Sequence, residues 1–212
     1  MTTLILVRHG QSETNPRGEF TGQLDVGLLP LGVIQAEKTA EFITQNYKVN
    51  AVYASDLKRA YITGEIIAQK ASAEITADKR LREVNAGEWQ GKKFTEIKDS
   101  FPEEWEVWLN DIGNCRTGKE SIRELGDRVC KALCEIAEKN EGKTVVIATH
   151  ATPIRVATCL LGGFPVGHMK DIPWVSNASA TEMQYDNGKW KIVKAGMDEH
   201  LKDLKTTLVG KV

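Results

Sequence analysis

A chain of 212 residues is long enough to bury a substantial core and fits one large α/β domain over 1–212. Its 41% hydrophobic and 27% charged residues are those of an ordinary water-soluble protein, and a net charge of −1 argues against a nucleic-acid or anionic-membrane surface. No stretch approaches membrane-spanning length, and the apolar start at 4–7 is too short for a signal h-region, so a cytoplasmic protein is expected. Any anion site must therefore be local.

The first element is a continuous apolar β run over 3–7 that leads straight into Arg8-His9-Gly10. Residues 30–47 read as a helix, with Val33, Ala36, Ala40, Ile43 and Tyr47 at steps of three and four and Pro30 in its first turn. A short strand at 51–54 precedes a second helix, with Leu57, Tyr61, Gly64 and Ala68 along one face. Residues 74–77 form a weaker strand. The segment 92–118 departs from this rhythm, carrying Phe101-Pro102 and the pair Trp105 and Trp108. Its aromatic residues read either as core packing or as a helical lid over a pocket.

Residues 121–139 are amphipathic, with Ile122, Leu125, Val129, Leu133 and Ile136 inward. Cys130 and Cys134 lie one turn apart in that helix and are expected as buried thiols of a reduced protein. With Cys115 and Cys159 they show neither a CxxC pair nor zinc spacing, so no metal site is expected. The run at 144–149 is a further buried strand ending at His150. Residues 181–193 form a hairpin around Asn187-Gly188.

Alternating strands and helices are the α/β signature, and functional residues of open α/β sheets gather outside the carboxyl ends of the strands. Arg8-His9 and His150 both follow buried runs, so both should project into one crevice. An imidazole can attack phosphorus, and a guanidinium can grip phosphoryl oxygens. Arg59 sits near the start of the helix after the 51–54 strand, and Glu83 and Glu88 follow the 74–77 strand. These groups describe a phosphate-handling pocket. His168 and His200 lack such a context, and Arg116 and Lys119 read as solvated loop charges.

In order along the chain, Arg8-His9-Gly10 with Asn15, Phe20-Thr21-Gly22 with Asp25, and Ser55-x-Leu57-x-Arg59-Ala60-x-x-Thr63 form a recurring set. It continues with Leu81-x-Glu83, Gly87-x-x-x-Gly91, Glu120-Ser121 and Thr149-His150 with Arg155. This set resembles the histidine phosphatase superfamily, whose best-known branch is the cofactor-dependent phosphoglycerate mutases. The resemblance implies that His9 is the phosphorylated nucleophile, that Arg8, Arg59 and His150 bind the phosphoryl group, and that Glu83 is the proton donor. It adds Asn15, Thr21 and Gly22 as polar contacts, with Ala151 beside the phosphate.

Departures from the mutase pattern select a branch. Val84 and Ala86 stand where mutases carry an arginine and a tyrosine that hold a carboxylate, and the interval from Glu83 to His150 is short. Gly87-Glu88-Trp89-Gln90-Gly91 resembles an element of broad-specificity and α-ribazole phosphatases. Glu19 replaces a commonly basic residue, and Ala151 a common glycine. The expected fold is a three-layer α/β/α architecture with a mostly parallel sheet, helices on both faces, a C-terminal hairpin and a small helical insertion at 92–118 over the active site. The expected activity is metal-independent, cofactor-free hydrolysis of a small phosphorylated metabolite, with inorganic phosphate as product. The alternatives are a mutase or a non-catalytic phosphate-binding module. No nucleic-acid or membrane partner is expected, and the general frequency of symmetric dimers favours a homodimer.

Overall fold

Successive side chains of an extended strand point to opposite faces, and the first strand, β1 (Thr2–Arg8), uses this to feed two cores. Leu4 and Leu6 join one cluster and Ile5 and Val7 the other. The strand β4 (Thr144–Thr149) divides in the same way, with Val145 and Ile147 on the first side and Val146 on the second. A strand buried on both faces reads as an unbroken apolar run rather than an alternating one.

The computed structural model describes residues 1–206. The strands β2 (Val49–Ala54), β3 (Ile75–Ala77), β5 (Ala180–Asp186) and β6 (Lys189–Met197) complete one six-stranded sheet of order β3-β2-β4-β1-β5-β6. The first four are mutually parallel, and β5 runs antiparallel to both β1 and β6. The hairpin joining β5 to β6 turns at Asn187 and Gly188, both with positive φ, as a two-residue turn requires.

The helices α1 (Pro30–Asn46) and α2 (Lys58–Ala71) cover the Ile5/Val7 face through Ala40, Ile43, Ile67 and Ala68. The opposite face is covered by α5 (Ile122–Lys139) and α6 (Ala151–Leu161). Two short helices, α3 (Phe94–Ser100) and α4 (Pro102–Asn110), form the insertion and add Ile97, Trp105 and Trp108 to that second core. Ser121 is the cap of α5: its hydroxyl accepts from Glu124 N–H (3.2 Å), and the Glu124 carboxylate accepts from Ser121 N–H (2.8 Å).

Two expectations about helix faces need correction. Cys130 and Cys134 are half-buried on the flank of α5, because Ala132, Leu133 and Ile136 take the centre of its apolar stripe. Tyr61 is also only half-buried; α2 turns Arg59, Ala60, Thr63 and Gly64 inward instead. That rotation puts two polar side chains of α2 under the sheet's carboxyl edge.

Candidate active site

Arg8 of β1 is the register partner of Thr149 of β4, so the two central strands end level. The next residue of each strand is a histidine, and the His9 and His150 rings meet edge to face with centroids 5.2 Å apart. His9 N–H continues the ladder to Thr149 O (3.0 Å), and its carbonyl accepts from Ala178 N–H (3.2 Å) and the Asn177 amide (3.1 Å). His9 Nδ1 lies 2.7 Å from Gly10 O. A carbonyl only accepts, so Nδ1 carries the proton and Nε2 keeps its lone pair.

The motif around Arg59 has a mechanical explanation. Ser55, just past β2, places its hydroxyl 2.9 Å from His150 Nε2 and accepts from Leu57 N–H (3.3 Å). The hydroxyl proton then goes to Nε2, which leaves the proton of His150 on Nδ1. Thr63 accepts from Gly10 N–H (3.1 Å) and donates to Arg59 O (2.8 Å), tying the loop after β1 to α2. Gly10 also lets the loop lie against α1: a Cβ there would sit 2.1 Å from Gly32 O.

Arg8 and Arg59 are both buried and line the same pocket as His9. Arg8 donates through Nη1 to Val175 O (2.6 Å). Arg59 spends Nη1 and Nη2 on the carbonyls of Leu24 and Gly22, each at 2.8 Å. Arg8 Nε, Arg59 Nε and His150 Nδ1 are buried without a hydrogen-bond partner among the described residues. An unmet buried donor costs about 1–3 kcal/mol; two of these belong to arginines that line the pocket of His9, and the third to the His150 ring, which packs on His9 but is fully buried and does not itself line the pocket.

Glu83 enters from the loop after β3. One oxygen accepts from Val84 N–H (2.8 Å), the other from Thr152 N–H in the first turn of α6 (3.3 Å). Its main chain is held by Arg128 of α5, which donates to the carbonyls of Arg80, Arg82 and Glu83 and pairs with Glu120. Glu88 is exposed and lines a separate groove with Arg116 and Lys119, so Glu83 is the carboxyl that shares the pocket of His9.

Electrostatics sort these groups. Burial pulls Arg8 and Arg59 down to about 10, with Glu83 opposing the shift, so both remain cationic at neutral pH. Burial, then Arg59 and Arg8, hold His9 well below 6.5; burial, then Arg59 and His9, do the same for His150. Both imidazoles are neutral. Burial raises Glu83 above the usual carboxyl range, although Val84 N–H, Thr152 and Arg59 pull the other way. A neutral imidazole, fixed cations and a carboxyl whose pKa is raised therefore share one cleft.

Among the other expected residues, Asn15 lines the pocket and accepts through Oδ1 from Ser12 N–H (2.8 Å) and the Asn177 amide (3.2 Å). Thr21 lines it with its hydroxyl paired to that of Thr14 (2.6 Å); Gly22 contributes its carbonyl to Arg59, and Ala151 opens α6 beside Thr152. His168 is exposed, and His200 stacks on Phe42, so neither belongs to the site. Val84 and Ala86 are fully buried and offer nothing to a ligand. The sequence reading passed over Thr152, Asn177 and Trp174. Trp108 was read only as core or lid; in the structure it is buried and also lines the pocket. Among the described residues, no group of three or more His, Cys, Asp or Glu is placed to hold a metal ion, and no helix is long and apolar enough to cross a membrane.

A paired-imidazole, paired-guanidinium centre at the carboxyl ends of two neighbouring parallel strands defines a phosphoryl-handling class of α/β protein. The chain belongs to the histidine phosphatase superfamily, whose branch 1 profile matches residues 4–198. It is 31% identical over 202 residues to "Phosphoserine phosphatase 1" of Hydrogenobacter thermophilus, covering 95% of each chain. It is 29% identical over 208 residues to "Glucosyl-3-phosphoglycerate phosphatase" of Mycolicibacterium vanbaalenii, covering 92% of each. The solved structure of Bacillus stearothermophilus YhfR superposes with a TM-score of 0.90 at 27% identity, over 95% of this chain and 100% of that one.

Proposed function

We propose that this protein hydrolyses a small phosphomonoester through a phosphohistidine intermediate on His9, releasing inorganic phosphate. The observation that carries the reading is one pocket lined by His9, with Nε2 unprotonated, by the guanidinium groups of Arg8 and Arg59 and by the Glu83 carboxyl, with the His150 ring packed edge to face on His9. A phosphoryl group beside His9 meets two fixed cations there.

In the first half-reaction Nε2 attacks phosphorus, the bond from phosphorus to the ester oxygen breaks, and protonated Glu83 gives its proton to the leaving oxygen. Arg8 and Arg59 hold the charge on the equatorial oxygens, and His150 Nδ1–H adds a neutral donor. In the second, water attacks phosphorus as the Glu83 carboxylate takes its proton; the N–P bond breaks and free His9 returns. Asn15, Thr21, Gly22 and Ala151 shape the phosphate end, Gly22 by fixing Arg59. Hydrolysis is favoured over mutase chemistry because Val84 and Ala86 leave no group to hold a phosphoglycerate carboxylate.

The test is to mix the enzyme with a ³²P-labelled aryl phosphate and quench rapidly. A base-stable, acid-labile phosphoenzyme is expected, and His9→Ala should lose it together with at least about 10⁴-fold in turnover. Undiminished hydrolysis in that variant would refute the assignment.

A further inference from the structure

Much of the pocket wall beyond the proposed phosphoryl-binding residues is aromatic. Phe20 meets Trp108 edge to face at 5.3 Å and Phe94 at 6.1 Å; Trp174 lies 6.1 Å from Trp108. All four line the pocket of His9. They come from the loop after β1, from both insertion helices and from the segment before β5, and each is braced by another ring. Such a wall is preformed and costs little to order around a ligand.

The charges around this wall are as informative as the rings. Arg155 has its guanidinium carbon 3.9 Å above the Trp174 ring and donates to Met169 O and Ile172 O, each at 2.8 Å. It does not line the pocket; its positive charge is spent on the loop that carries Trp174. Apart from Arg8, His9, Arg59 and Glu83, the sole ionisable side chain lining the pocket among the described residues is Glu19. Its partner, Arg17 at 3.2 Å, lies outside the lining. Beyond Arg8, His9, Arg59 and Glu83 the lining thus offers aromatic rings and a carboxylate, and no further cation.

We infer that the substrates are phosphomonoesters of apolar or aromatic, uncharged alcohols, and that the site discriminates against monoesters whose alcohol carries a carboxylate or a second phosphate. This specificity rests on the hydrolase reading above. An anionic alcohol would shed its hydration against ring faces that are themselves electron-rich, meet no counter-ion and approach Glu19. An apolar alcohol gains area burial and ring contacts at the same place.

The test compares three alkyl esters, which keeps leaving-group ability similar: 2-phenylethyl phosphate, phosphoserine and 3-phosphoglycerate. The kcat/KM for 2-phenylethyl phosphate should exceed the other two by about 100-fold or more. Trp108→Ala should lower that ratio about 10-fold, acting mainly through KM for the phenylethyl ester. Glu19→Lys, at a half-buried position of the lining, should lower it by a similar factor of about 10 by favouring the carboxylate esters. His9-dependent hydrolysis with equal or reversed preference would overturn the specificity and leave the hydrolase standing. Absence of His9-dependent hydrolysis for all three esters and for an aryl phosphate would overturn the hydrolase itself.

Discussion

Arg128 is not in the pocket, yet its replacement should damage stability and chemistry in a diagnostic way. Its Nε and Nη2 hold the two oxygens of Glu120 (2.6 and 2.9 Å), while Nη1 and Nη2 reach the carbonyls of Arg80, Arg82 and Glu83 (2.8, 2.8 and 2.9 Å). Glu120 in turn accepts from Asn85 N–H (2.8 Å), so one ion pair clamps the main chain on both sides of Glu83. Arg128→Met takes the counter-ion from that carboxylate, which keeps Asn85 N–H, and one donor from each of three carbonyls, of which Glu83 O keeps the Gln23 amide (3.0 Å). Breaking a buried pair costs about 3–5 kcal/mol; with the side chains 21% and 13% exposed, solvent reduces this to about 2–4 kcal/mol. Urea unfolding should show the midpoint falling at unchanged slope. Adding Glu120→Gln should recover about 1–2 kcal/mol, since the stranded charge is gone. A loosened Glu83 should cost about 10²-fold in turnover of alkyl phosphates, and far less with p-nitrophenyl phosphate, whose leaving group needs no proton. A stability loss under about 1 kcal/mol, or equal rate losses for both ester classes, would refute this account of the clamp.

The pH–rate profile for kcat/KM of alkyl phosphates should rise through a His9 pKa well below 6.5 and fall as Glu83, raised by burial, loses its proton; p-nitrophenyl phosphate, whose leaving group needs no proton, should lack that alkaline limb. Stability should fall on acidification. His9 and His150 have folded pKa values below the unfolded 6.5, so below that pH the unfolded chain binds more protons, at about 1.4 kcal/mol per pH unit for each. Glu83 opposes one proton's worth between 4.5 and its raised folded value, where the folded state holds the extra proton. Urea midpoints from pH 7.5 to 5 test this; a flat profile contradicts it, and His150→Asn should reduce the slope. Gly10→Ala forces a methyl to 2.1 Å from Gly32 O and should lower stability by at least about 1–3 kcal/mol, read as a drop in melting temperature.

The parallel sheet and the residues proposed to react were legible because apolar runs that end in polar residues mark the carboxyl edge of a sheet. Arg8, His9, Arg59, Glu83 and His150 all stand at such ends or just past them, and the level register of β1 and β4 turns the two histidines into neighbours. Features that depend on how elements rotate were not legible. Tyr61 matched an apolar period, but α2 buries Arg59 and Thr63 to reach the strand ends. Arg128 reads as one more charge on the polar side of an amphipathic helix, and its five hydrogen-bond acceptors come from distant or loop residues. The aromatic wall draws on Phe20, Phe94, Trp108 and Trp174, which share no spacing; only folding brings them to one surface.

The strand order β3-β2-β4-β1-β5-β6 places β4, from late in the chain, between β1 and β2. During synthesis the two early strands have no edge to share, because the slot between them belongs to residues that emerge after more than half the protein has been made. His9 precedes its imidazole neighbour in the chain, and that neighbour and the wedge that separates β1 from β2 arrive together as 144–150 insert. A break anywhere before β4 should therefore leave an N-terminal fragment that lacks the centre of its sheet as well as its second histidine.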